Sequence, residues 1–195
     1  MRNLPALLFL VLLAACGQPS TPTLPSNAAD VSWRYQHAVD FKLNDASGKP
    51  RTLAEFRDKV VVLFFGYTHC PEVCPTTLAD LAQAMKQLGP DAARVQVLFV
   101  TLDPERDTPE VLAKYVPSFH ASFLGLYGDA AATAQAAKAF AVTYEKHELK
   151  SGYAVDHTDA AFLIGNHGRS VLMSPYGQRT ELLVQDIRLL LAASR

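Results

Sequence analysis

Stretches of continuous apolar residues alternate along the chain with stretches in which apolar residues recur at helical spacing. Residues 59–65 and 95–102 are mostly β-branched, aromatic or Leu, which is typical of strands buried on both faces of a sheet. Between them, apolar residues in the segment 76–88 recur every three or four positions and stop before a Gly-Pro pair, which predicts an amphipathic helix. The pattern therefore predicts a strand–helix–strand unit at the centre of the fold.

The remaining segments continue this alternation. Asp107-Thr108-Pro109 predicts the start of a second helix, because Asp or Thr can cap a helix and Pro fits its first turn. The pattern also predicts, in chain order, a short hairpin at 41–49, a strand at 123–127, an Ala-rich helix at 130–142, strands at 160–164 and 170–173 joined by a hairpin loop, and a closing helix at 178–193. Together these elements predict an α/β sandwich in which helices flank a mixed central β-sheet.

The composition is that of one globular domain. The chain has 195 residues, of which 49% are hydrophobic, enough for one well-buried core but not for two comfortable ones. Its formal net charge is −1, and nucleic-acid binding usually requires a strongly basic domain. We therefore expect no nucleic-acid partner.

The first fifteen residues have the features of an export signal. An apolar run at 4–13 follows Arg2; it is too short to span a bilayer as a mature helix but fits the hydrophobic region of a secretory signal. Leu13-Ala14-Ala15-Cys16 resembles a bacterial lipobox, which predicts a lipoprotein signal peptide at 1–15 and a lipidated Cys16. A plain secretory signal with a chance cysteine is the alternative.

Residues 16–30 are rich in Pro, Ser and Thr, a composition that predicts a flexible tether. The domain is then expected at 31–195. A lipid on Cys16 would attach the protein to a membrane, because the burial energies of several acyl chains add. We expect a location in the bacterial cell envelope with the domain facing the periplasm, and the sequence leaves open which membrane holds the anchor.

Two cysteines, Cys70 and Cys74, lie where the first long strand gives way to a helix. A helix N-terminus has unpaired N–H groups and a partial positive charge, which stabilise a thiolate. Positions four apart lie on one face of a helix, so both sulfurs can point to the same place. A thiolate pair of this kind can perform disulfide exchange or bind a soft metal ion.

A candidate third ligand is His157, just before the predicted strand at 160–164. With this order of elements the chain resembles a thioredoxin fold carrying an extra N-terminal β-hairpin, and the loop entering that strand lies beside the cysteine-bearing helix in such folds. Two thiolates and an imidazole suit Cu(I), and in a tetragonal arrangement Cu(II). A structural zinc site would need a fourth protein ligand.

The sequence gives weaker support for a role at the metal site to three neighbouring polar residues. Asp156 and Asp159 are predicted to orient His157 through its second ring nitrogen, as metal-bound imidazoles commonly require; simple solvation of a loop explains them equally well. His69 adjoins Cys70 and is a rival ligand. Side chains at adjacent positions diverge, however, so we expect the His69 ring to point away from the sulfurs or to act indirectly.

Three segments resemble the sequence blocks of the Sco/SenC family of copper-binding, thioredoxin-fold proteins. They are residues 64–78 (FFGYTHCPEVCPTTL), 100–109 (VTLDPERDTP) and 156–158 (DHT). The resemblance implies that Cys70, Cys74 and His157 are the copper ligands. Two departures are the Glu72 found where we expect Asp, and a lipoprotein anchor in place of the transmembrane helix that is common in the family.

The same resemblance implies a function. It predicts a membrane-anchored metallochaperone, rather than an enzyme, that delivers copper to the binuclear copper centre of cytochrome c oxidase. The expected partners are the copper-centre subunit of the oxidase, the membrane, and either another periplasmic copper chaperone or a thiol reductase. The resemblance leaves open the working oxidation state, Cu(I) or Cu(II), and the oligomeric state.

The alternative function is thiol–disulfide exchange, in which Cys70 and Cys74 reduce the cysteines of a target before it is metallated. Oxidoreductases of this fold carry a proline just ahead of the strand that corresponds to 160–164, where Asp159 stands in this chain. This difference favours the metallochaperone. The two activities remain compatible, because removal of copper leaves a reactive dithiol.

Overall fold

The fold is an α/β sandwich built on a mixed sheet. Within residues 26–35, 40–165, 168 and 170–193, which a computed structural model describes, the chain forms ten β-strands and four α-helices. The strands are β1 (Ala29–Asp30), β2 (Leu43–Asp45), β3 (Pro50–Arg51), β4 (Val60–Gly66), β5 (Val95–Thr101), β6 (Leu124–Tyr127), β7 (Tyr144–Glu148), β8 (Tyr153–His157), β9 (Ala161–Ile164) and β10 (Val171–Ser174). The helices are α1 (Val73–Leu88), α2 (Pro109–Phe119), α3 (Ala130–Ala139) and α4 (Thr180–Ala192).

Eight of the described strands form one sheet in the order β1-β10-β9-β4-β5-β6-β2-β3. Strands β4, β5 and β6 run parallel, whereas the other pairs are antiparallel. The predicted mixed sheet is therefore confirmed, and so is the N-terminal hairpin, which is β2–β3 and pairs with β6 at one edge. The central position of β4 places its carboxyl end, and the cysteine segment that follows, in the middle of the sheet.

The two faces of β4 are buried by different groups, as expected where successive side chains alternate. Phe64 is fully buried and contacts Phe99. Phe65, also fully buried, contacts Phe140 and Phe162 on the other side. Every residue of β4 and β5 is buried, which explains why both strands are nearly continuous apolar runs.

The predicted helices form with small shifts at their ends. Helix α1 begins three residues earlier than predicted, at Val73, because Pro75 is tolerated in a first turn. Thr108 caps α2 by accepting a hydrogen bond from the Val111 N–H. Helix α3 ends at Ala139, three residues early, because Ala141 adopts a positive φ of 53°, a conformation that commonly ends helices.

The ribbon formed by β7 and β8 was absent from the prediction. It is a separate two-stranded antiparallel sheet in which Tyr144 lies opposite His157. The prediction that His157 lies in a loop is therefore wrong, because His157 is the last residue of β8. The loop that enters β9 is only the three residues that follow.

The first described residues belong to the fold. The N–H groups of Asn27 and Ala28 donate to the carboxylate of Asp186, at 2.8 and 2.9 Å, and β1 pairs with β10. The last part of the segment predicted as a tether thus lies against the domain. The predicted signal peptide and Cys16 lie outside the described residues, and in the described ranges no helix is long and apolar enough to cross a membrane.

Candidate metal centre

The cysteine pair lies between β4 and α1. Cys70 precedes the helix, and Cys74 is in its first turn, so the Cys74 N–H donates to the Cys70 sulfur at 3.4 Å. Cys74 is fully buried, and Cys70 is partly exposed. The approach of Cys74 to the sheet requires Gly66, because a Cβ at that position would lie 2.7 Å from the Cys74 sulfur.

The two sulfurs have opposite acid–base properties. Neither sulfur is in a disulfide bond. The Cys74 thiol, by donating a hydrogen bond to the Cys70 sulfur, lowers the pKa of Cys70 from 9.0 to about 5, with help from backbone N–H groups at the helix start. The same hydrogen bond, together with burial, raises the pKa of Cys74. The pair therefore carries one negative charge at neutral pH, on the sulfur that solvent can reach.

The His157 ring is held by contacts on each of its sides. Its Nδ1 lies 2.8 Å from the Thr158 carbonyl oxygen, and because a carbonyl only accepts, Nδ1 carries the proton. In a neutral imidazole Nε2 then has the free lone pair, and Nε2 lies 3.6 Å from the Cys74 sulfur. The rings of Phe64 and Tyr67 pack edge-on to the imidazole, with centroids 6.3 and 6.1 Å away. This tautomer is the one that can bind a metal through Nε2.

The separation of the Cys74 sulfur and the His157 nitrogen suits a shared ion. Bonds of about 2.3 Å to sulfur and about 2.0 Å to nitrogen, as in zinc sites, place the two donor atoms about 3.5 Å apart at a tetrahedral angle. Among the described residues, no three His, Cys, Asp or Glu side chains are already arranged to hold an ion.

The buried carboxylate of Asp107 holds the cysteine segment in place by hydrogen bonds. Asp107 has a fully buried side chain that accepts hydrogen bonds from the N–H and hydroxyl of Thr68, at 2.9 and 2.6 Å, and from the Thr101 hydroxyl at 2.6 Å. The sequence suggested only that Asp107 or Thr108 caps the second helix. The His69 ring faces Thr68 and Asp107, 3.2 and 3.7 Å away, rather than either sulfur.

The two aspartates expected beside His157 do not contact its ring. Asp156 has a carboxylate that is 77% exposed and lies 3.1 Å from Nε2 of His147 across the ribbon. It points away from His157 because successive side chains of a strand face opposite sides. Asp159 lines a small cavity with Thr77 and is not hydrogen-bonded to the ring in the described part of the chain. The Thr158 carbonyl performs the orienting role, and a backbone group has no sequence signature.

Comparison with known proteins places the chain in a family. A family model described as SCO1/SenC matches residues 30–192. The mitochondrial SCO2 homolog of Bos taurus is 39% identical over 160 residues, which are 80% of this chain and 60% of the bovine protein. The chain thus spans less than two thirds of that relative.

Solved structures agree with the match. Apo Sco1 from Thermus thermophilus is 46% identical, with a TM-score of 0.71 over 78% of this chain and 91% of that one. ScoI from Bradyrhizobium japonicum, solved with copper bound, is 36% identical, with a TM-score of 0.71 over 76% of this chain and 96% of that one. BsSco is described as a member of the Sco family of cytochrome c oxidase assembly proteins. It is 19% identical, with a TM-score of 0.62 over 85% of this chain and 96% of that one. At this identity the match shows the shared fold alone. These structures confirm the predicted thioredoxin-like fold.

Proposed function

Because the chain belongs to the SCO1/SenC family, whose members are copper-binding proteins of cytochrome c oxidase assembly, we propose that it is a membrane-anchored metallochaperone. In this proposal Cys70 and Cys74 bind copper as thiolates and His157 binds it as a neutral imidazole. The recipient is the binuclear copper centre of a cytochrome c oxidase, through the subunit that carries that centre. The observation that carries the proposal is the 3.6 Å contact between the Cys74 sulfur and His157 Nε2.

The chemistry of the site supports loading and release of the metal. Cys70 already has a lowered pKa, near 5, so it is the first sulfur available to an arriving ion. Binding to Cys74 requires loss of its proton, which couples metal binding to pH. Three protein donors leave an open coordination position, through which a partner's ligand can displace one donor at a time. Oxidation of the dithiol would remove two of the three donors and release the metal.

The topology supports an arrangement in which the site faces the membrane. Ala161 lies opposite both Phe64 of β4 and Ser174 of β10, and Ala29 lies opposite Met173. The chain before β1 therefore leaves the sheet at the end where β4 leads to Cys70. The ten residue-to-residue steps from Cys16 to Ser26 can reach at most about 35 Å. With a lipid on Cys16, the copper site would stay near the membrane surface, on the periplasmic side.

Copper analysis of the purified protein tests the ligand set. The reduced protein should bind one equivalent of copper, and X-ray absorption of the loaded form should report sulfur and nitrogen donors together. Copper added to the Cys70→Ser/Cys74→Ser double variant should stay unbound. A loaded protein with sulfur donors only would show that His157 is not a ligand. Failure to pass copper to the purified copper-centre domain of an oxidase would contradict the delivery role.

The acid–base asymmetry of the cysteines favours a second candidate function, thiol–disulfide exchange. An attacking thiolate with a buried partner thiol is the arrangement that exchange requires, and Cys70 and Cys74 have it. The protein would reduce the cysteines of the oxidase subunit before metallation, and a periplasmic thiol reductase would regenerate it. With a dithiol reductant supplied to regenerate the protein, copper-free protein should reduce a disulfide substrate steadily and faster than the reductant alone. No acceleration over the reductant alone would rule this activity out.

A further inference from the structure

The β7–β8 ribbon carries His157 but pairs with no other strand in the described part of the chain. An isolated two-stranded hairpin is at best marginally stable in water. Four of the five residues of β7 are exposed, so burial of apolar side chains along that strand does not hold the ribbon in place. Strand β8 places Val155 in the hydrophobic core. Polar and ring contacts at the first residue of β8 add a second attachment, which constrains the direction of the ribbon and the position of the His157 ring.

Tyr153, the first residue of β8, makes the main contacts. The Arg106 guanidinium carbon lies 3.7 Å from the centre of the Tyr153 ring, and Arg106 Nη1 donates to the Tyr153 carbonyl oxygen at 3.0 Å. The Tyr153 hydroxyl donates to one oxygen of Asp103 at 2.6 Å, and Arg106 Nε donates to the other. Both the backbone and the ring of Tyr153 are thus attached to the segment that contains Asp103 and Arg106.

A further contact comes from the neighbouring strand. Lys146 Nζ lies 4.5 Å from the centre of the Tyr153 ring and donates to Glu105 at 2.6 Å. The Glu105 side chain is 68% exposed, so solvent screens this ion pair and its contribution is small. The carboxylate of Asp103, in contrast, is fully buried. The contacts of Arg106 and Asp103 are therefore the stronger of these two polar attachments of the ribbon.

The same segment also fixes the cysteines. Residues 102–108 connect β5 to α2, and the Asp107 carboxylate in this loop accepts hydrogen bonds from the backbone and hydroxyl of Thr68, two residues before Cys70. The Thr101 hydroxyl bonds to Asp107 and to the Asp103 N–H, at 2.6 and 2.9 Å, which keeps the loop rigid. One loop thus contacts the segment that carries the sulfurs and the ribbon that carries the imidazole.

We propose that Arg106 and Tyr153 are positioning residues that hold the His157-bearing ribbon against the 102–108 loop and so set the distance from the His157 imidazole to Cys74. The inference rests on the proposed copper binding by Cys70, Cys74 and His157. Arginine is required for this role because its planar guanidinium can stack on the Tyr153 ring while it donates to two acceptors. A lysine ammonium cannot do both in the same geometry.

The test compares the full-length protein with Arg106→Lys and Tyr153→Leu. Arg51→Lys is the matched control, because Arg51 makes a similar partly buried ion pair with Asp45 on the hairpin at the far edge of the sheet. Circular dichroism establishes that each protein is folded. Tyr153 lies on the partly exposed ribbon, so Tyr153→Leu decides the question if Arg106→Lys does not fold.

Two measurements separate this inference from the proposed function. In metal-free protein, NMR signals of the His157 ring nitrogens should shift or broaden in both variants and stay unchanged in Arg51→Lys. In Cu(II)-loaded protein, nitrogen coupling in the EPR spectrum should weaken, with copper affinity about 10-fold lower. Parent-like ring signals and parent-like nitrogen coupling in the folded variants would overturn the inference. Absence of nitrogen coupling in the parent protein would refute only the ligand role of His157, and the metal-free signals would still test the positioning.

Discussion

Cys74 and His157 are 83 positions apart in the chain, and yet the Cys74 sulfur lies 3.6 Å from His157 Nε2. The contact joins the first turn of α1 to the end of β8. It depends on a hydrogen bond from His157 Nδ1 to the Thr158 carbonyl, which turns the unprotonated nitrogen towards the sulfur. The fold thus brings two of the three proposed donors into contact before any metal is present.

Replacement of His157 by alanine should weaken copper binding without unfolding the protein. Two sulfurs remain, so Cu(I) should still bind, but loss of the nitrogen donor should lower the affinity at least about 10-fold. Competition with a chelator of known affinity measures the effect. His147→Ala is the control, because His147 lies on the same ribbon and contacts Asp156 rather than a sulfur. Equal affinities for parent and His157→Ala protein would show that His157 is not a ligand.

Alkylation of Cys70 should depend on pH in an unusual way. The pKa of Cys70 is lowered to about 5, mainly by the hydrogen bond from the Cys74 thiol, so the thiolate exists above that pH and is lost below it. The rate of reaction with iodoacetamide should therefore stay nearly constant from about pH 8 to about pH 6. Over the same range the rate for an ordinary cysteine falls with each pH unit, because its thiolate fraction falls. Stopped-flow measurements on metal-free protein test this behaviour.

The Cys74→Ala variant checks the cause of the shift. Removal of the donor thiol should raise the pKa of Cys70, so that the alkylation rate begins to fall at a higher pH. The N–H groups at the start of α1 remain and should keep the pKa below that of a free cysteine. A Cys70 titration that is the same in parent and Cys74→Ala protein would show that the helix terminus, rather than the partner thiol, is responsible.

Much of the sheet was predictable because strands buried on both faces consist mainly of apolar residues. Strands β4 and β5 are buried along their whole lengths and read as apolar runs, and the spacing in α1 revealed its buried face. The cysteine pair was equally visible. Strand β7 had no such signal, since its residues Tyr-Glu-Lys-His-Glu are mostly exposed and show no apolar alternation. The contact of Tyr153 with Arg106 spans 47 positions, which no local pattern encodes.

The polar residues around the site were the least predictable part. Asp107 stands where the sequence suggested a helix cap, but its carboxylate is buried and accepts hydrogen bonds from Thr68, 39 positions away. Asp156 is adjacent to His157, and this suggested a role in orienting the ring that the Thr158 carbonyl performs instead. The partners of the two aspartates, Thr68 for Asp107 and His147 for Asp156, are set by how the chain folds, and the identity of a side chain does not reveal which partner it has.

Replacement of Gly66 by alanine should destabilise the site. The added Cβ would lie 2.7 Å from the Cys74 sulfur and 3.0 Å from a ring carbon of Phe99, and both neighbours are fully buried. Overpacking of this kind costs about 1–3 kcal/mol of unfolding free energy, measured by chemical denaturation. In Gly165→Ala the nearest atom is 3.3 Å away, so its loss should be smaller. Equal losses of unfolding free energy in Gly66→Ala and Gly165→Ala would mean that the Cys74 side chain can shift to make room for the added methyl group.

The proposed lipid anchor on Cys16 predicts a modification that mass spectrometry can detect. The parent protein expressed in a bacterial host should fractionate with membranes and show a mass increase of diacylglycerol size on the N-terminal peptide. Cys16→Ser should remove both the mass increase and the membrane association, because a single serine cannot accept the thioether-linked lipid. A Cys16→Ser protein that stays membrane-bound and modified would refute the anchor.

The carboxylate of Asp186 should determine where the chain leaves the domain. It accepts hydrogen bonds from the N–H groups of Asn27 and Ala28 and from the Gln178 side chain, and it is buried. Asp186→Ala leaves these two N–H groups without their partner, which should cost about 1–3 kcal/mol. Hydrogen exchange at Ala28 should accelerate, because its protecting acceptor is gone. Asp91→Ala, which removes a solvent-exposed carboxylate beside Arg94, is the control.

A freed N-terminal segment would also alter the proposed geometry at the membrane. The chain from Cys16 would gain the residues before β1 as additional tether, so the copper site could move farther from the bilayer and lose its fixed orientation. In vesicles, copper transfer from lipidated Asp186→Ala to a membrane-embedded acceptor should slow, whereas transfer to a soluble acceptor domain should match the parent. Equal slowing with both acceptors would place the defect in the copper site, and equal rates with both would show that orientation does not limit transfer.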